Sequence, residues 1–169
     1  VKNVRASFDE YDLNKVVHFL TDFVCEDLSN WYIRRNRNRF WDSHLTTSKK
    51  AVYKTTYDVL VGLSKLIAPI CPYISEEMYR NLTNEESVHL SNYPVVNEEY
   101  INSTIEEKMD KVRDLISLGR NAREDSKIKV RIPLATVIID GKLEDLLGDL
   151  TNLITCLLYT SPSPRDRQK

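Results

Sequence analysis

The chain has 169 residues, 41% hydrophobic and 29% charged, enough for one ordinary domain with a real core or for a domain with an appendage. Its 24 basic and 25 acidic side chains leave a net charge of −1, so any nucleic-acid contact must come from a local patch rather than from overall charge. Four Gly and six Pro favour long helices over an all-β sandwich, and no apolar run reaches membrane-spanning length.

From about Asp12 the positions Val16, Val17, Phe19, Leu20, Phe23, Val24, Leu28, Trp31 and Tyr32 recur at helical spacing. They wrap more than one face, which marks a central helix packed on several neighbours, and the pattern runs on through Phe40 and Trp41. Thr46, Thr47 or Ser48 is placed to cap a second helix that carries Val52, Leu60, Leu63 and Leu66 and stops at Ala68-Pro69. After the Cys71-Pro72 kink, Ser75 with Glu76 and Glu77 opens a short third helix. Residues 84–97 read as an extended connector. A fourth helix runs to Asp125 with Ile105, Met109, Val112, Ile116 and Gly119 in one stripe, where Gly119 allows a close helix crossing.

The period then changes. Lys127-Ile128-Lys129-Val130-Arg131-Ile132 alternates strictly and predicts a strand with one cationic face, reinforced by Arg120 and Arg123 upstream. Thr136-Val137-Ile138-Ile139 resumes it, and Leu143, Leu146, Leu147, Leu150, Leu153, Ile154 and Leu157 begin another helix. The Ser/Pro/Arg run that closes the chain reads as a disordered or foreign tail. The expected fold is therefore mainly α: an antiparallel bundle over 1–125, a small β element and a truncated helix over 126–157, then the tail, 158–169. The chain opens without Met and mid-pattern, which reads as a fragment, and residues 1–20 lack a signal-peptide core.

Chemistry concentrates in Leu28–Trp41, where four arginines and three asparagines stand among aromatic side chains. Guanidinium forks grip phosphates and flat rings stack on bases. Asn30, Arg34, Arg37 and Trp41 are spaced 4, 3, 4 and predict one stripe, while Arg35 and Arg39 predict a second row. Trp31 serves either recognition or the core. The alternative is a helix C-terminus that attracts cations paired with Asp22, Glu26, Asp27 or Asp42. Lys127, Lys129 and Arg131 form a second candidate surface, with a solvated sheet edge as the alternative.

His18, His44 and His89 sit in unrelated contexts, without metal or triad spacing. No glycine-rich phosphate loop is present to bind ATP by backbone amides, and with the histidines so scattered neither a catalytic centre, a cofactor nor a metal is expected in the chain. Cys25, Cys71 and Cys156 form no C-x-x-C pair and fit a reducing cytosol, with Cys25 and Cys71 read as small buried hydrophobes.

The run Asp27-Leu28-Ser29-Asn30-Trp31-Tyr32-Ile33-Arg34-Arg35-Asn36-Arg37-Asn38-Arg39-Phe40-Trp41 closely resembles the signature helix of the anticodon-binding domain in isoleucyl-tRNA synthetases. Leu66-Ile67-Ala68-Pro69-Ile70-Cys71-Pro72 resembles that family's "APxxP" junction, Ser87-Val88-His89-Leu90-Ser91-Asn92-Tyr93-Pro94 its connector, and Lys127-Ile128-Lys129-Val130-Arg131-Ile132-Pro133-Leu134 its "KIKVRxPL" strand. The likeness extends through residues 143–154 and fails from Cys156 onward.

The resemblance implies part of a class I aminoacyl-tRNA synthetase that joins isoleucine to its tRNA, with ATP and Mg used in the parent enzyme and misactivated valine edited elsewhere. One methylene discriminates by only about 1–3 kcal/mol, which is why such editing exists. Its implied partners are tRNA(Ile) and the parent's catalytic domain, in the cytoplasm and away from membranes. The competing expectations are a structural or protein-interaction bundle with no RNA contact, and an arginine helix that only bridges to the catalytic domain.

Overall fold

In the computed structural model, which describes residues 1–129, 132–134, 136, 138, 140–141 and 148–158, the chain divides into two compact units, Val1–Asn97 and Glu98–Lys169. The first opens with a helix the sequence pattern did not announce, α1 (Lys2–Asp9). It ends where the Tyr11 N–H reaches the Phe8 carbonyl (3.0 Å) and the Asp12 N–H reaches that of Ser7 (2.9 Å). This paired closure puts Tyr11 in the left-handed conformation, φ 57°. Asp12 then accepts from the Lys15 N–H (3.0 Å) and caps α2 (Leu13–Asp22).

Helix α2 runs straight into a π-helical stretch, Phe23–Ile33, whose N–H groups reach five residues back, as Arg34 does to the Ser29 carbonyl. A one-turn helix, α3 (Arg37–Phe40), follows the break at Asn36. Thr46 is the capping hydroxyl of α4 (Thr47–Ile67), accepting from the Lys49 N–H at 3.1 Å. Helix α5 (Pro72–Thr83) opens at Pro72, three residues earlier than expected, because proline fits the first turn, where no N–H is needed. Ser75 lies buried inside it and donates to the Pro72 carbonyl (2.8 Å).

The core of this unit joins Val4 of α1, Val16 and Leu20 of α2, and Leu63 and Leu66 of α4, with Phe8, Val24, Ile67, Ile70 and Tyr93 against it. Each such aliphatic side chain stabilises by about 1.5–3 kcal/mol on full burial. Tyr93 straps the connector down: its ring meets Phe8 edge-on at 6.4 Å and its hydroxyl donates to the Leu66 carbonyl (3.4 Å). The connector is not wholly extended, since Val88–Leu90 forms a 3-10 turn with Val88 buried. Because Val24 faces the core, its neighbour Cys25 points outward. Cys71 occupies the surface turn before α5. Both thiols are free and exposed, contrary to the expectation that they would be buried.

In the second unit Asn102 caps α6 (Ser103–Asp125) by accepting from the Ile105 N–H (3.2 Å), and α6 packs on α7 (Thr151–Leu157). The expected stripe is buried at Val112 and Ile116, together with Ile154 and Leu158, whereas its first member, Ile105, is exposed.

The expected β element is not seen among the described residues, where no strand occurs. Instead Lys127 closes α6 in the left-handed conformation (φ 54°), its N–H bonded to the Glu124 carbonyl (2.9 Å) and that of Ile128 to Arg123 (2.8 Å). Arg123, expected on a cationic face, is buried and donates to the carbonyls of Leu158 (3.3 Å), Lys129 (3.1 Å) and Ile132. Val130, Arg131, Val137, Ile139, Leu143, Leu146 and Leu147 and the tail from Tyr159 lie outside the described residues.

Candidate nucleic-acid interface

Residues 34–54 carry seven Lys and Arg against one acidic side chain, Asp42, so this near-neutral chain has one intensely basic segment. Its folding begins at Asn36, a helix-interrupting residue at φ −90°, ψ 7°. The Asn36 side chain, 4% exposed, turns back and donates from Nδ2 to the Tyr32 carbonyl (2.9 Å). The Asn36 backbone N–H reaches the same carbonyl (3.1 Å), so the short amide side chain adds a second donor to it and locks the residue at the break.

The other end of that amide meets Arg39. Arg39 donates from Nη1 to Asn36 Oδ1 (2.8 Å), from Nε to Ser48 Oγ (2.8 Å) and from Nη2 to the Ser48 carbonyl (2.8 Å). Three of the five N–H donors of this guanidinium are thereby committed to protein, and α3 is tied to the first turn of α4. Phe40 reinforces the junction by meeting Tyr53 edge-on, ring centroids 5.3 Å apart.

The remaining arginines face differently. Arg34 and Arg37 are exposed, and the Arg37 guanidinium lies 5.9 Å from the centre of the Trp41 ring, itself 76% exposed. Arg35 is half-buried over Trp31 (5.8 Å). Burial pushes the Arg35 guanidinium below its ordinary value, Tyr32 works against that, and the like charge of Arg39 adds to it. Asn30 is exposed, 3.4 Å from Glu26 Oε1. Among the described residues Arg34, Arg37 and Arg39 have no carboxylate partner. Ion pairs elsewhere join Lys15 to Glu10 and Asp12, Lys54 to Asp58, and Arg113 to Asp110. The macrodipole-and-carboxylate alternative for these three side chains therefore lacks its counter-ions.

Two further cation–aromatic pairs extend the surface along α4. Lys49 Nζ lies 5.7 Å from the Tyr53 ring and donates to the Asp42 carbonyl (2.7 Å), and Lys54 lies 5.7 Å from the Tyr57 ring. Sequence reading missed Asn36, Ser48, Lys49, Tyr53 and Tyr57. Only Asn36 carried a local signal, being a poor helix former amid a helical pattern. The predicted 4, 3, 4 stripe assumed uninterrupted α-helix. The π-helical stretch and the break at Asn36 remove that assumption, and α3, which carries Arg37 and Arg39, packs beside α4 instead. Lys127 and Lys129 are exposed in the second unit, and Arg131 lies outside the described residues. Among the described residues no group of three or more His, Cys, Asp or Glu could hold a metal ion, and no helix is long and apolar enough to cross a membrane.

The family described as the anticodon-binding domain of tRNA ligase matches residues 1–139. The isoleucine–tRNA ligase of Chlamydia trachomatis serovar L2 is 48% identical over 155 residues, 89% of this chain and 15% of that relative. Isoleucine–tRNA ligase 2 of Bacillus thuringiensis subsp. konkukian is 44% identical over 138 residues, 82% of this chain and 13% of the relative. The chain thus spans about 15% of the length of the curated relatives it matches. With a matching region that covers most of the sequence, the basic segment 34–54 included, the chain belongs to the family of tRNA-ligase anticodon-binding domains.

Proposed function

We propose that this chain is the tRNA-docking part of an isoleucine–tRNA ligase, a cytoplasmic enzyme that charges tRNA(Ile) with isoleucine using ATP and Mg in a catalytic domain elsewhere in the parent. The observation that carries this reading is the exposed pair Arg34 and Arg37, without a carboxylate partner among the described residues, beside the exposed indole of Trp41. Free guanidinium groups meet the phosphates of the stem, and Trp41 offers a ring face to an unpaired base. Trp31 with Arg35 braces the same helix, Asn30 and Arg39 lie at its margins, and Lys127, Lys129 and Arg131 are a secondary surface for the same RNA.

A second contact is favoured by α2, where Leu13 and Val17 on one side of the buried Val16–Leu20 stripe, and Phe19 and, one residue beyond, Phe23 on the other, are exposed. Exposed apolar side chains of this kind suit the parent's catalytic domain as a partner.

The test is binding of a tRNA(Ile) transcript against an acidic-protein control. If Arg34, Arg37 and one lysine each meet a phosphate, log affinity falls against log salt with a slope of about −3. Binding insensitive to salt, or equal affinity for the acidic protein, would overturn the reading.

A further inference from the structure

Arg39 belongs to the basic segment by sequence, yet its surroundings are those of a structural fork. Its partners diverge: a side-chain oxygen of Asn36 on one side, and the hydroxyl and carbonyl of Ser48 on the other, all at 2.8 Å. Asn36 in turn is buried and anchored to the Tyr32 carbonyl, one turn before Arg37. The chain of bonds Tyr32–Asn36–Arg39–Ser48 therefore runs from the end of the arginine helix across α3 into α4. It fixes where Arg37 and Trp41 stand, since both flank Arg39 on the same single turn.

We infer that Asn36 and Arg39 are positioning residues for RNA docking: together with Ser48 they hold α3 against α4 so that Arg37 and Trp41 meet the RNA already in place. Arg39 serves the surface through its planar fork, and its charge as such is secondary. Pre-organisation matters because ordering a four-residue helix at the moment of binding would be charged against the affinity. Lysine cannot replace the fork, because an ammonium on a flexible stem is a point charge and cannot span three divergent acceptors.

The inference rests on the RNA-docking reading above, and one set of variants in the full chain separates the two. Affinity for a tRNA(Ile) transcript is measured for Asn36→Ala, Arg39→Lys, Arg39→Ala, the double variant Asn36→Ala/Arg39→Lys, and Arg34→Ala as a comparator. The expected result is a loss of about tenfold for Asn36→Ala, although it removes no charge, and a similar loss for Arg39→Lys. The double variant binds no more weakly than either single one, because both break the same unit.

If Arg39→Lys binds like the parent while Arg39→Ala loses affinity and lowers the salt slope by about 0.9, Arg39 is a phosphate ligand and the inference fails. Silence of Asn36→Ala overturns it as well. An unaltered affinity in Arg34→Ala together with all the others overturns the docking reading itself. Should circular dichroism show that Asn36→Ala or Arg39→Lys does not fold, Ser48→Ala removes one acceptor and leaves the backbone intact. A partial loss of affinity with unchanged helicity is then expected, and full affinity rejects the inference.

Discussion

The Leu158 side chain fills the place of a missing one at Gly119: a β-carbon on Gly119 would lie 2.7 Å from Leu158 Cδ1 and 2.9 Å from Cδ2. Helix α6 approaches the end of α7 closely at this point, between the buried Ile116 and Arg123. Gly119→Val inserts three carbons there and is expected to destabilise by about 1–3 kcal/mol. Gly119→Ala is expected within about 1 kcal/mol of the parent, since better helix propensity offsets the displacement of a flexible leucine end. Thermal or urea unfolding checks the order of the two.

Tyr11 offers the opposite case, a side chain where glycine would serve better. It is 91% exposed and left-handed. Relief of about 1–2 kcal/mol of backbone strain exceeds the roughly 0.5–1 kcal/mol that glycine's extra freedom in the unfolded chain costs. Tyr11→Gly should therefore raise the urea midpoint with the m-value unchanged.

Glu76 links α5 to the turn at Val88 by accepting from the Ser87 hydroxyl (2.9 Å) and the Val88 N–H (2.9 Å). Desolvation pushes its carboxyl up, but the Val88 N–H and Ser87 hydroxyl, helped by His89 and Arg80, outweigh this, and the net shift is downward. A lowered folded-state value means the contribution to stability is complete above the ordinary glutamate range. It is lost as pH falls through the acid range towards the depressed value. Glu76→Gln should flatten that part of the stability–pH curve, and an unchanged curve would reject the role.

Trp41 and Arg37 separate binding from folding. Because Trp41 is so exposed, Trp41→Ala should leave the unfolding midpoint within about 0.5 kcal/mol of the parent. If it stacks on a base it should weaken tRNA binding by about 1–3 kcal/mol. Arg37→Ala should lower the salt slope by about 0.9, a change that Trp41→Ala does not produce.

The exposed thiols of Cys25 and Cys71 should react with a water-soluble alkylating reagent in the native protein, without denaturant. Mass spectrometry of the labelled chain reads both positions; protection of either would contradict its exposure.

Local chemistry alone determined much of this protein. Hydrophobic periodicity located α2, α4 and α6, an oxygen-bearing cap marked α4 at Thr46, and the density of arginine and indole identified the basic segment. These depend on residues a turn or two apart and so are written in the chain itself. Tertiary structure decided which cations stay free. Arg39 and Arg123 look in sequence like their neighbours, yet one is held by Ser48 and the other by three carbonyls, including that of Leu158. No strand is seen among the described residues of the expected Lys127–Ile132 element, where Lys127 and Ile128 instead close α6. Alternation describes two faces, but a strand also needs a neighbour for its N–H and C=O groups, and only the folded chain determines whether one is supplied.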